Sequence, residues 1–243
     1  MLAQSHVRAF AKALDEGACH VEPRLGDTLV SYLNVGCGQA PTPGWTNYDN
    51  SPSVRLIRKP LRLWVLRRLG IVQAEQEDFI AFARKSAIDW ADVTRSIPEA
   101  NQTVDVIYSS HMLEHLDNEQ AMRFLAEARR VLIHGGIIRL ALPNIRYHVD
   151  NYLQDGDADR FIRAILLTHP RNKTLIEKLK YLWIGERHHA WMYDGASLCK
   201  LLTAAGFHDA RELESGATSI KDPGALNLRE RSPESVFVEA VNP

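Results

Sequence analysis

Small and acidic residues that could bind a ligand follow successive apolar runs in the first half of the chain. Gly36 and Gly38 follow the run L-N-V, where a glycine lets the backbone approach a ligand that a side chain would obstruct. Asp49 and Asp92 end the next two runs, and a carboxylate at the position of Asp49 can accept hydrogen bonds from both hydroxyls of a ribose. Together with Ser110, which ends a fourth run, these groups predict a nucleoside-binding cleft.

The glycine turn differs from the turn that binds a dinucleotide. It lacks a third glycine, and the segment Q-A-P-T-P that follows Gly38 is too rich in proline to open a helix that would bind a pyrophosphate. A nicotinamide-dependent enzyme is therefore disfavoured, and a cofactor without phosphates fits the turn better.

Residues 111–115, H-M-L-E-H, reproduce the H-x-x-E-H motif of one class of zinc hydrolases. Such a site needs a continuous helix that carries both histidines. Here a strand is predicted to end at Ser110 and the next helix to begin after Asp117, so the five residues are expected to lie in a connection. We therefore predict no metal ligand, and zinc-dependent hydrolysis is the disfavoured alternative.

Short apolar runs that alternate with helical patterns are expected to position these residues. Strands are predicted at 28–35, 45–49, 87–93, 104–110, 136–142, 209–213 and 235–241. One helix is predicted to begin after Asp117, with Gln120 completing a capping box and glycines at 135 and 136 ending it, and another to begin after Asp194. This alternation predicts an α/β fold in which a mostly parallel sheet binds ligands at the carboxyl ends of its strands.

Two segments interrupt the alternation, at 51–86 and 145–186, within a predicted single domain of residues 1–243. The first is basic and apolar, with a helix expected from Pro60, and its cations are Arg55, Arg58, Lys59, Arg62, Arg67 and Arg68. The favoured interpretation is a helix that packs on the body of the protein. The alternative is a contact of 55–68 with a membrane surface or with an anionic or lipid-linked acceptor. The second segment is expected to form a helical lid on the substrate side.

Composition and charge exclude several classes of protein. The 243 residues are 45% hydrophobic and carry a net charge of −1, which predicts a globular protein without a nucleic-acid partner. The three cysteines (Cys19, Cys37 and Cys199) are widely spaced and form no C-x-x-C pair, as is typical of a reducing compartment. The first twenty residues carry charges and lack the apolar core of a signal peptide, so we expect a cytoplasmic protein.

Four motifs carry a family resemblance: L-N-V-G-C-G, W-T-N-Y-D, V-D-V-I-Y-S-S-H-M-L-E-H-L and R-V-L-I-H-G-G. Together they span about residues 28–142 and resemble class I S-adenosylmethionine-dependent methyltransferases. The later motifs H-A-W-M-Y-D and S-V-F-V-E-A resemble a bacterial subgroup associated with surface-polysaccharide biosynthesis. The resemblance implies a Rossmann-like sandwich whose seven-stranded, mostly parallel sheet has an antiparallel C-terminal edge strand. It also implies transfer of a methyl group from S-adenosylmethionine to an acceptor, here expected to be a sugar hydroxyl of a bacterial glycan.

The resemblance also implies a role for individual residues. The glycine turn would meet the methionine part of the cofactor, Asp49 would bind its ribose, and Asp92 with the backbone of Val93 would hold its adenine. Ser110 and His111 would line the side from which the methyl group leaves. The complete set implied in cofactor binding is Asn34, Gly36, Cys37, Gly38, Asp49, Asp92, Val93, Ser110 and His111.

An oxygen acceptor must lose its proton, and a histidine of near-neutral pKa within hydrogen-bond reach can take it. The first candidate is His189, which has Trp191 and Tyr193 nearby, and His111 and Tyr193 are the other catalytic candidates. Alternatively, His189 supports the helix that follows Asp194. A protein that binds the cofactor without catalysing transfer remains the alternative to an enzyme.

Overall fold

Seven strands form one mixed sheet in the computed structural model, which describes residues 31–72, 74–166 and 188–243. They are β1 (Tyr32–Val35), β2 (Thr46–Asp49), β3 (Ile88–Trp90), β4 (Val104–Ser110), β5 (Leu132–Pro143), β6 (His208–Leu213) and β7 (Ser235–Val241). Their order across the sheet is β3-β2-β1-β4-β5-β7-β6. Strands β1 to β5 pair in parallel, and β7 is antiparallel to both β5 and β6.

This sheet confirms the predicted α/β, Rossmann-like fold with an antiparallel C-terminal strand. The C-terminal strand β7 lies between β5 and β6, so the strand at that edge is β6. Residues 31–243 form one compact unit, and the prediction of a single domain over 1–243 stays a prediction because residues 1–30 lie outside the described part. For the same reason, the start of the strand predicted at 28–35 and residues 167–186 of the lid predicted at 145–186 are not described.

The centre of the sheet is built from strands that are buried on both faces. Strand β4 (V-D-V-I-Y-S-S) is almost continuously buried, and the second half of β5, from Ile138 to Pro143, is buried throughout. Such β-branched and apolar runs suit a parallel sheet that helices cover on both sides. Strand β6 is mostly exposed, as expected for an edge.

The strand order creates a crevice where β1 lies between β2 and β4. The chain leaves β1 toward β2 on one side and later returns to β4 on the other, so the loops that follow β1 and β4 diverge. In open α/β sheets, ligands bind in the crevice that such diverging loops leave at the carboxyl ends of the strands. The loop after β1, the end of β2 and the turns after β3 and β4 therefore share this edge.

Helices cover the sheet and form much of the described part of both insertions. They are α1 (Pro52–Ile57), α2 (Pro60–Arg68), α3 (Ala74–Lys85), α4 (Asn118–Val131), α5 (Ile145–Asp155), α6 (Ala158–Ala164) and α7 (Gly195–Ala204). The capping box of Asp117 and Gln120 is present at the start of α4, and Asp194 forms a second one with Ser197 at the start of α7. Within the described residues, no helix is long and apolar enough to cross a membrane.

Three local predictions need correction: the end of the helix that begins after Asp117, the start of the strand predicted at 136–142, and the length of the strand predicted at 87–93. Helix α4 ends at Val131 and β5 begins directly at Leu132, so the glycines at 135 and 136 lie inside the strand and do not end the helix. The apolar face of α4 is buried against the sheet down to Val131, which carries the chain into β5 without a loop. The strand predicted at 87–93 is only Ile88–Trp90, which leaves Asp92 in the following turn.

The first insertion, 51–86, forms α1, α2 and α3. Its buried apolar residues, within the part that the structure describes, are Val54, Leu56, Leu63, Ile80 and Ala83. Helix α2 packs through Leu63 but leaves most of its other apolar side chains exposed, namely Leu61, Trp64 and Val65, together with Leu69 and Ile71 just beyond it. The favoured interpretation of a packed helix therefore accounts for one face of α2 only.

Candidate functional site

The two glycines after β1 are needed for different reasons. Both have positive φ, +69° at Gly36 and +50° at Gly38, which a side chain disfavours. A Cβ at Gly36 would lie 2.7 Å from Met112 Cγ, so this glycine lets the loop pack against the connection that follows β4. A Cβ at Gly38 would meet nothing within 4 Å and would project into open space. Gly38 is therefore the position at which a ligand can approach the backbone.

Asp49 links the loop after β1 to the loop after β2. Its Oδ2 accepts a hydrogen bond from the Gly38 N–H (3.0 Å), and its Oδ1 accepts one from the Ser51 N–H (2.8 Å). Each oxygen has a second lone pair, so the half-buried carboxylate can still accept a hydrogen bond from a ligand hydroxyl. The predicted ribose position is thus held directly beside the open face of Gly38.

The side chains of two other residues near the glycine turn interact with the protein itself. The Asn34 side chain is buried and donates hydrogen bonds to Ala40 O (2.9 Å) and Thr42 Oγ1 (3.0 Å), which hold the proline-rich loop. Burial and the nearby Asp49 carboxylate raise the pKa of the Cys37 thiol to about 12, so the thiol stays protonated. Both residues shape the turn, and Cys37 is a poor nucleophile.

Asp92 lies in the turn after β3. Its Oδ1 accepts hydrogen bonds from the Thr94 N–H (3.3 Å) and hydroxyl (2.7 Å), and Oδ2 pairs with Arg95 Nε at 3.1 Å. The neighbouring Val93 is buried in the core. The predicted adenine pair is therefore at the expected edge of the sheet, with the carboxylate partly engaged in its own turn.

The chain bends sharply where β4 ends. After Ser110, His111 adopts φ +48°, which a non-glycine residue seldom adopts, and its N–H donates to Ala141 O (2.9 Å). The imidazole is held from both sides, because Nε2 lies 3.1 Å from Ser235 Oγ and Nδ1 lies 3.3 Å from Glu114 Oε1. Uncommon backbone conformations of this kind cluster at functional sites.

Glu114 is the most unusual side chain of this edge. It is only 1% exposed, and neither carboxylate oxygen has a hydrogen-bond partner. Its neighbours are imidazoles: Oε1 lies 3.3 Å from His111 Nδ1 and 4.0 Å from His115 Nε2, and His189 completes a group of side chains around it. Burying a carboxylate costs several kcal/mol unless it is paired or hydrogen-bonded.

Backbone contacts bring the distant H-A-W-M-Y-D motif to this turn. Residues Leu113–His115 form a 3-10 turn, and the N–H groups of Ala190 and Trp191 both donate to Glu114 O, at 2.7 and 3.1 Å. His115 Nδ1 lies 3.0 Å from His188 O, and the rings of His115 and His189 are 5.3 Å apart. The two motifs therefore form one structural unit, although they are more than 70 residues apart.

The predicted catalytic residues His111, His189 and Tyr193 all lie in this unit, and the neighbouring aromatic residues differ in how far they are exposed to solvent. His189 is 7% exposed with Nδ1 3.1 Å from Met192 Sδ, and burial lowers its pKa against the opposing effect of Glu114, so a neutral imidazole is favoured. Tyr193 is buried, and burial together with Glu114 raises the pKa of its phenol to about 12. Trp191 is mostly exposed. Asp194 caps helix α7 without help from His189, so the alternative supporting role of His189 is not a capping role.

The position of Glu114 at the centre of these imidazoles was not predicted from the sequence. The signal was present as the fourth residue of H-M-L-E-H, but the motif was compared only with a helical zinc site and was set aside because its residues were expected to lie in a connection. In the structure, His111 lies outside the 3-10 turn, so its two histidines are not one helical turn apart on a common helix. The zinc hydrolase geometry is therefore absent from these residues.

One family model and several solved structures are similar to this chain. A family model described as a methyltransferase domain matches residues 71–140, which include Asp92, Ser110 and His111 but not the glycine turn. No curated protein gives a significant match. Similar solved structures include a SAM-dependent methyltransferase from Methanosarcina mazei, with TM-score 0.47, 14% identity and coverage of 87% of this chain and 92% of that one.

Two further structures have similar scores. A SAM-dependent methyltransferase from Thermotoga maritima, described as a possible histamine N-methyltransferase, has TM-score 0.48 and 14% identity, covering 98% of this chain and 91% of that one. PigF, solved with SAH, has TM-score 0.45 and 12% identity, covering 88% of this chain. The chain spans half the length of PigF. At these scores, the fold assignment rests on the strand order and pairing described above.

Proposed function

We propose that this chain is an S-adenosylmethionine-dependent methyltransferase that methylates an oxygen atom, namely a sugar hydroxyl of a bacterial glycan. The cofactor assignment depends most on one observation, the contact between Gly38 and Asp49 at the crevice between β1 and β4. There an open backbone position and a carboxylate with free lone pairs lie side by side. The methyltransferase match of residues 71–140 supports the assignment.

The residues present fit this cofactor. An acidic group beside an unobstructed backbone suits a ribose and a small zwitterionic chain, and the turn has no helix N-terminus for a pyrophosphate. The sulfonium of S-adenosylmethionine is itself a strong methyl donor, so the protein mainly has to align donor and acceptor. The residues that remain to be explained are those that hold the acceptor and take its proton.

Two histidines are placed to receive a proton near the end of β4. His111 is anchored by Ser235 and lies against Glu114, and burial lowers the pKa of His189, which favours its neutral form. A carboxylate close to an imidazole stabilises the protonated ring that forms when a hydroxyl is deprotonated. We propose that one of these two histidines serves as the base. The buried phenol of Tyr193 lies near the same Glu114 carboxylate.

A cavity between α5 and α6 supports the choice of a sugar acceptor. Its volume is about 350 Å³, and its lining includes Tyr147, His148, Asn151, Tyr152, Phe161 and Glu234. Aromatic faces among hydrogen-bonding side chains suit a sugar ring, which has both apolar C–H faces and hydroxyl groups. Glu234 directly precedes Ser235, whose hydroxyl contacts His111, so this cavity adjoins the proposed base.

The basic insertion supports an acceptor that is anionic and linked to a lipid. A cytoplasmic protein would reach such an acceptor at the membrane surface. A groove of about 620 Å³ between α1 and α2 is lined by apolar side chains and by Arg55, Lys59 and Arg62. The neighbouring exposed residues include Trp64 and Leu61, which are 59% and 73% exposed. Cations that border an exposed apolar surface favour the interface of an anionic membrane.

Calorimetric titration tests the cofactor. We expect S-adenosylmethionine and S-adenosylhomocysteine to bind and NAD not to bind. Asp49→Ala should weaken binding by about 1–3 kcal/mol, the cost of a buried polar contact left unpaired. Asp209→Ala, which removes the same charge at the exposed strand β6, should leave the affinity unchanged.

Gly38→Ala provides an independent check of the same site, because its Cβ would enter the open space where the cofactor is expected. Unchanged affinity in both Asp49→Ala and Gly38→Ala would contradict the proposed site. Binding of the cofactor without methyl transfer to any glycan fraction would favour the non-catalytic alternative.

Sedimentation with vesicles tests the membrane contact. Lys59→Gln/Arg62→Gln should lose binding to phosphatidylglycerol vesicles and keep the same weak binding to phosphatidylcholine. The matched control Lys200→Gln/Lys221→Gln changes the charge equally at exposed positions elsewhere in the chain. Arg67 is left unaltered because it forms an ion pair with Glu77, as Arg58 does with Asp89. Equal binding of all three proteins to anionic vesicles would reject the contact.

A further inference from the structure

A cluster beside the proposed cofactor crevice has the composition of a transition-metal site. Glu114, His115 and His189 each offer one ligand atom, and these atoms all lie within 4.8 Å of one another. We propose that these three side chains bind a divalent transition-metal ion. This site differs from the H-x-x-E-H geometry, because its second histidine comes from the H-A-W-M-Y-D motif and its glutamate is a ligand.

The buried carboxylate is the first argument for a cation. Glu114 is 1% exposed and both of its oxygens lack hydrogen bonds, although the fold buries it completely. Within the residues that the structure describes, its ion-pair contacts are with histidines and none is with Lys or Arg. An unpaired buried carboxylate is costly, and a metal ion would supply the missing positive charge.

The orientation of the imidazoles is the second argument. His115 Nδ1 lies 3.0 Å from the carbonyl oxygen of His188, so it carries the hydrogen and leaves a lone pair on Nε2. That Nε2 lies 4.0 Å from Glu114 Oε1. Metal-ligating histidines commonly donate their other N–H to a backbone carbonyl in this way, which fixes the ring and its tautomer.

The spacing is close to what coordination requires. Zinc binds imidazole nitrogen and carboxylate oxygen at roughly 2.0–2.2 Å, so two ligands on one ion lie at most about 4.4 Å apart. Ligand atoms within 4.8 Å of one another can therefore converge on one ion through small side-chain rotations. The backbone is already in place, because Ala190 and Trp191 donate to Glu114 O.

The ligand types favour zinc or a similar ion over magnesium or calcium. Two imidazoles and one carboxylate are typical of catalytic zinc and non-haem iron sites, whereas magnesium and calcium prefer oxygen ligands. Three protein ligands leave at least one coordination position open. If the proposed function is correct, on which this step depends, that position would hold the acceptor oxygen. His189 would then be a metal ligand, so His111 is the one of the two proposed histidines that would act as the base.

Calorimetry and metal analysis of the chelator-treated, full-length protein test the site. Zn²⁺ should bind with a stoichiometry of one and Mg²⁺ should not compete at millimolar concentration. Co²⁺ should give the visible absorption of an ion bound to nitrogen and oxygen ligands. Glu114→Gln, His115→Gln and His189→Gln should each weaken Zn²⁺ binding at least 10-fold, on the scale expected for loss of a ligand.

The control is His208→Gln, which removes an exposed histidine on β6 that pairs with Asp209. It should bind Zn²⁺ like the wild type. Cofactor binding by the metal-free variants reports that they are folded and separates the two proposals. Zinc binding without cofactor binding would leave the metal site standing and reject the proposed function. Absence of stoichiometric zinc, or equal binding by the three ligand variants and His208→Gln, would overturn the metal site.

Discussion

Glu239 and Glu114 are buried to the same degree, 2% and 1% exposed, but their surroundings differ completely. Glu239 on β7 accepts hydrogen bonds from Arg139 (2.7 Å), from the Thr218 hydroxyl (2.6 Å), and from the Ser219 N–H (2.9 Å) and hydroxyl. Glu114 accepts none. Arg139 also donates to two carbonyl groups, and only its Nε lacks a partner.

The difference separates a structural carboxylate from a functional one. The ion pair of Arg139 and Glu239 spans β5 and β7 and ties the loop at 217–219 to the sheet, so its partners are all supplied by the fold. Glu114 has no equivalent donors among the residues that the structure describes. The side chains beside it are imidazoles, and those of His111 and His115 are oriented by contacts with other groups. A carboxylate that the fold buries without satisfying is expected to be satisfied by a ligand.

The largest expected effect comes from breaking the satisfied pair. Glu239→Gln leaves the Arg139 charge buried without a counter-charge, which should lower the free energy of unfolding by about 3–5 kcal/mol. Urea denaturation measures the change. Arg139→Met/Glu239→Leu removes both charges and should recover most of the loss, because apolar replacement of a buried ion pair is often neutral. A double variant as unstable as the single one would show that the pair itself carries the stability.

A smaller effect of opposite sign is expected at the unsatisfied carboxylate. In metal-free protein, Glu114→Gln should raise the free energy of unfolding by about 1–3 kcal/mol, because a neutral amide costs less to bury than an unpaired carboxylate. Thermal or urea unfolding measures the change. A loss of stability comparable to that of Glu239→Gln would contradict the distinction between the two residues.

Zinc should reverse the order of stability of the wild type and Glu114→Gln. At a zinc concentration 100 times Kd, the wild type should gain about 2.7 kcal/mol from binding to the native state. Glu114→Gln should gain much less at the same concentration, since it lacks the ligand. Equal stabilisation of both proteins would mean that zinc binds elsewhere.

The smallest effect concerns pH. Burial raises the pKa of Glu239, but the hydrogen bonds from Ser219, Thr218 and Arg139 outweigh burial and hold the pKa below its usual value. A lowered pKa contributes stability that is fully present above the unfolded value of about 4.3 and is lost as the pH falls through the folded pKa. Below about pH 4.3, the wild type should therefore lose stability more steeply than Arg139→Met/Glu239→Leu. If the unfolding free energies of the wild type and the double variant change with pH in parallel, the pKa of Glu239 is not lowered by folding.

The sequence predicted the elements whose signals are local. The N-cap residues Asp117 and Asp194 predicted where α4 and α7 begin, because the side chain and the backbone that it caps are within three residues. The apolar runs predicted the strands for the same reason. The boundary between α4 and β5 was wrong because glycines at 135 and 136 are a weaker determinant than the buried face that continues to Val131.

The candidate site was predicted in part. The glycine turn and Asp49 were placed correctly relative to each other, because parallel strands bring their carboxyl ends to one edge. The sequence could not predict why glycine is needed at each of these positions. Gly36 is needed because Met112 packs against it, whereas Gly38 faces open space. The engagement of Asn34 with its own loop was likewise invisible in the pattern.

The sequence by itself determined the alternation of strands and helices, the glycine turn and the acidic residue that follows it. Only the tertiary structure decided which buried charges are satisfied. Glu114 and His189 are 75 positions apart, and Arg139 and Glu239 are 100 apart, so no local pattern reports their distances. Periodicity records which face of an element is apolar, whereas the partners of a buried polar group depend on how separate elements pack together.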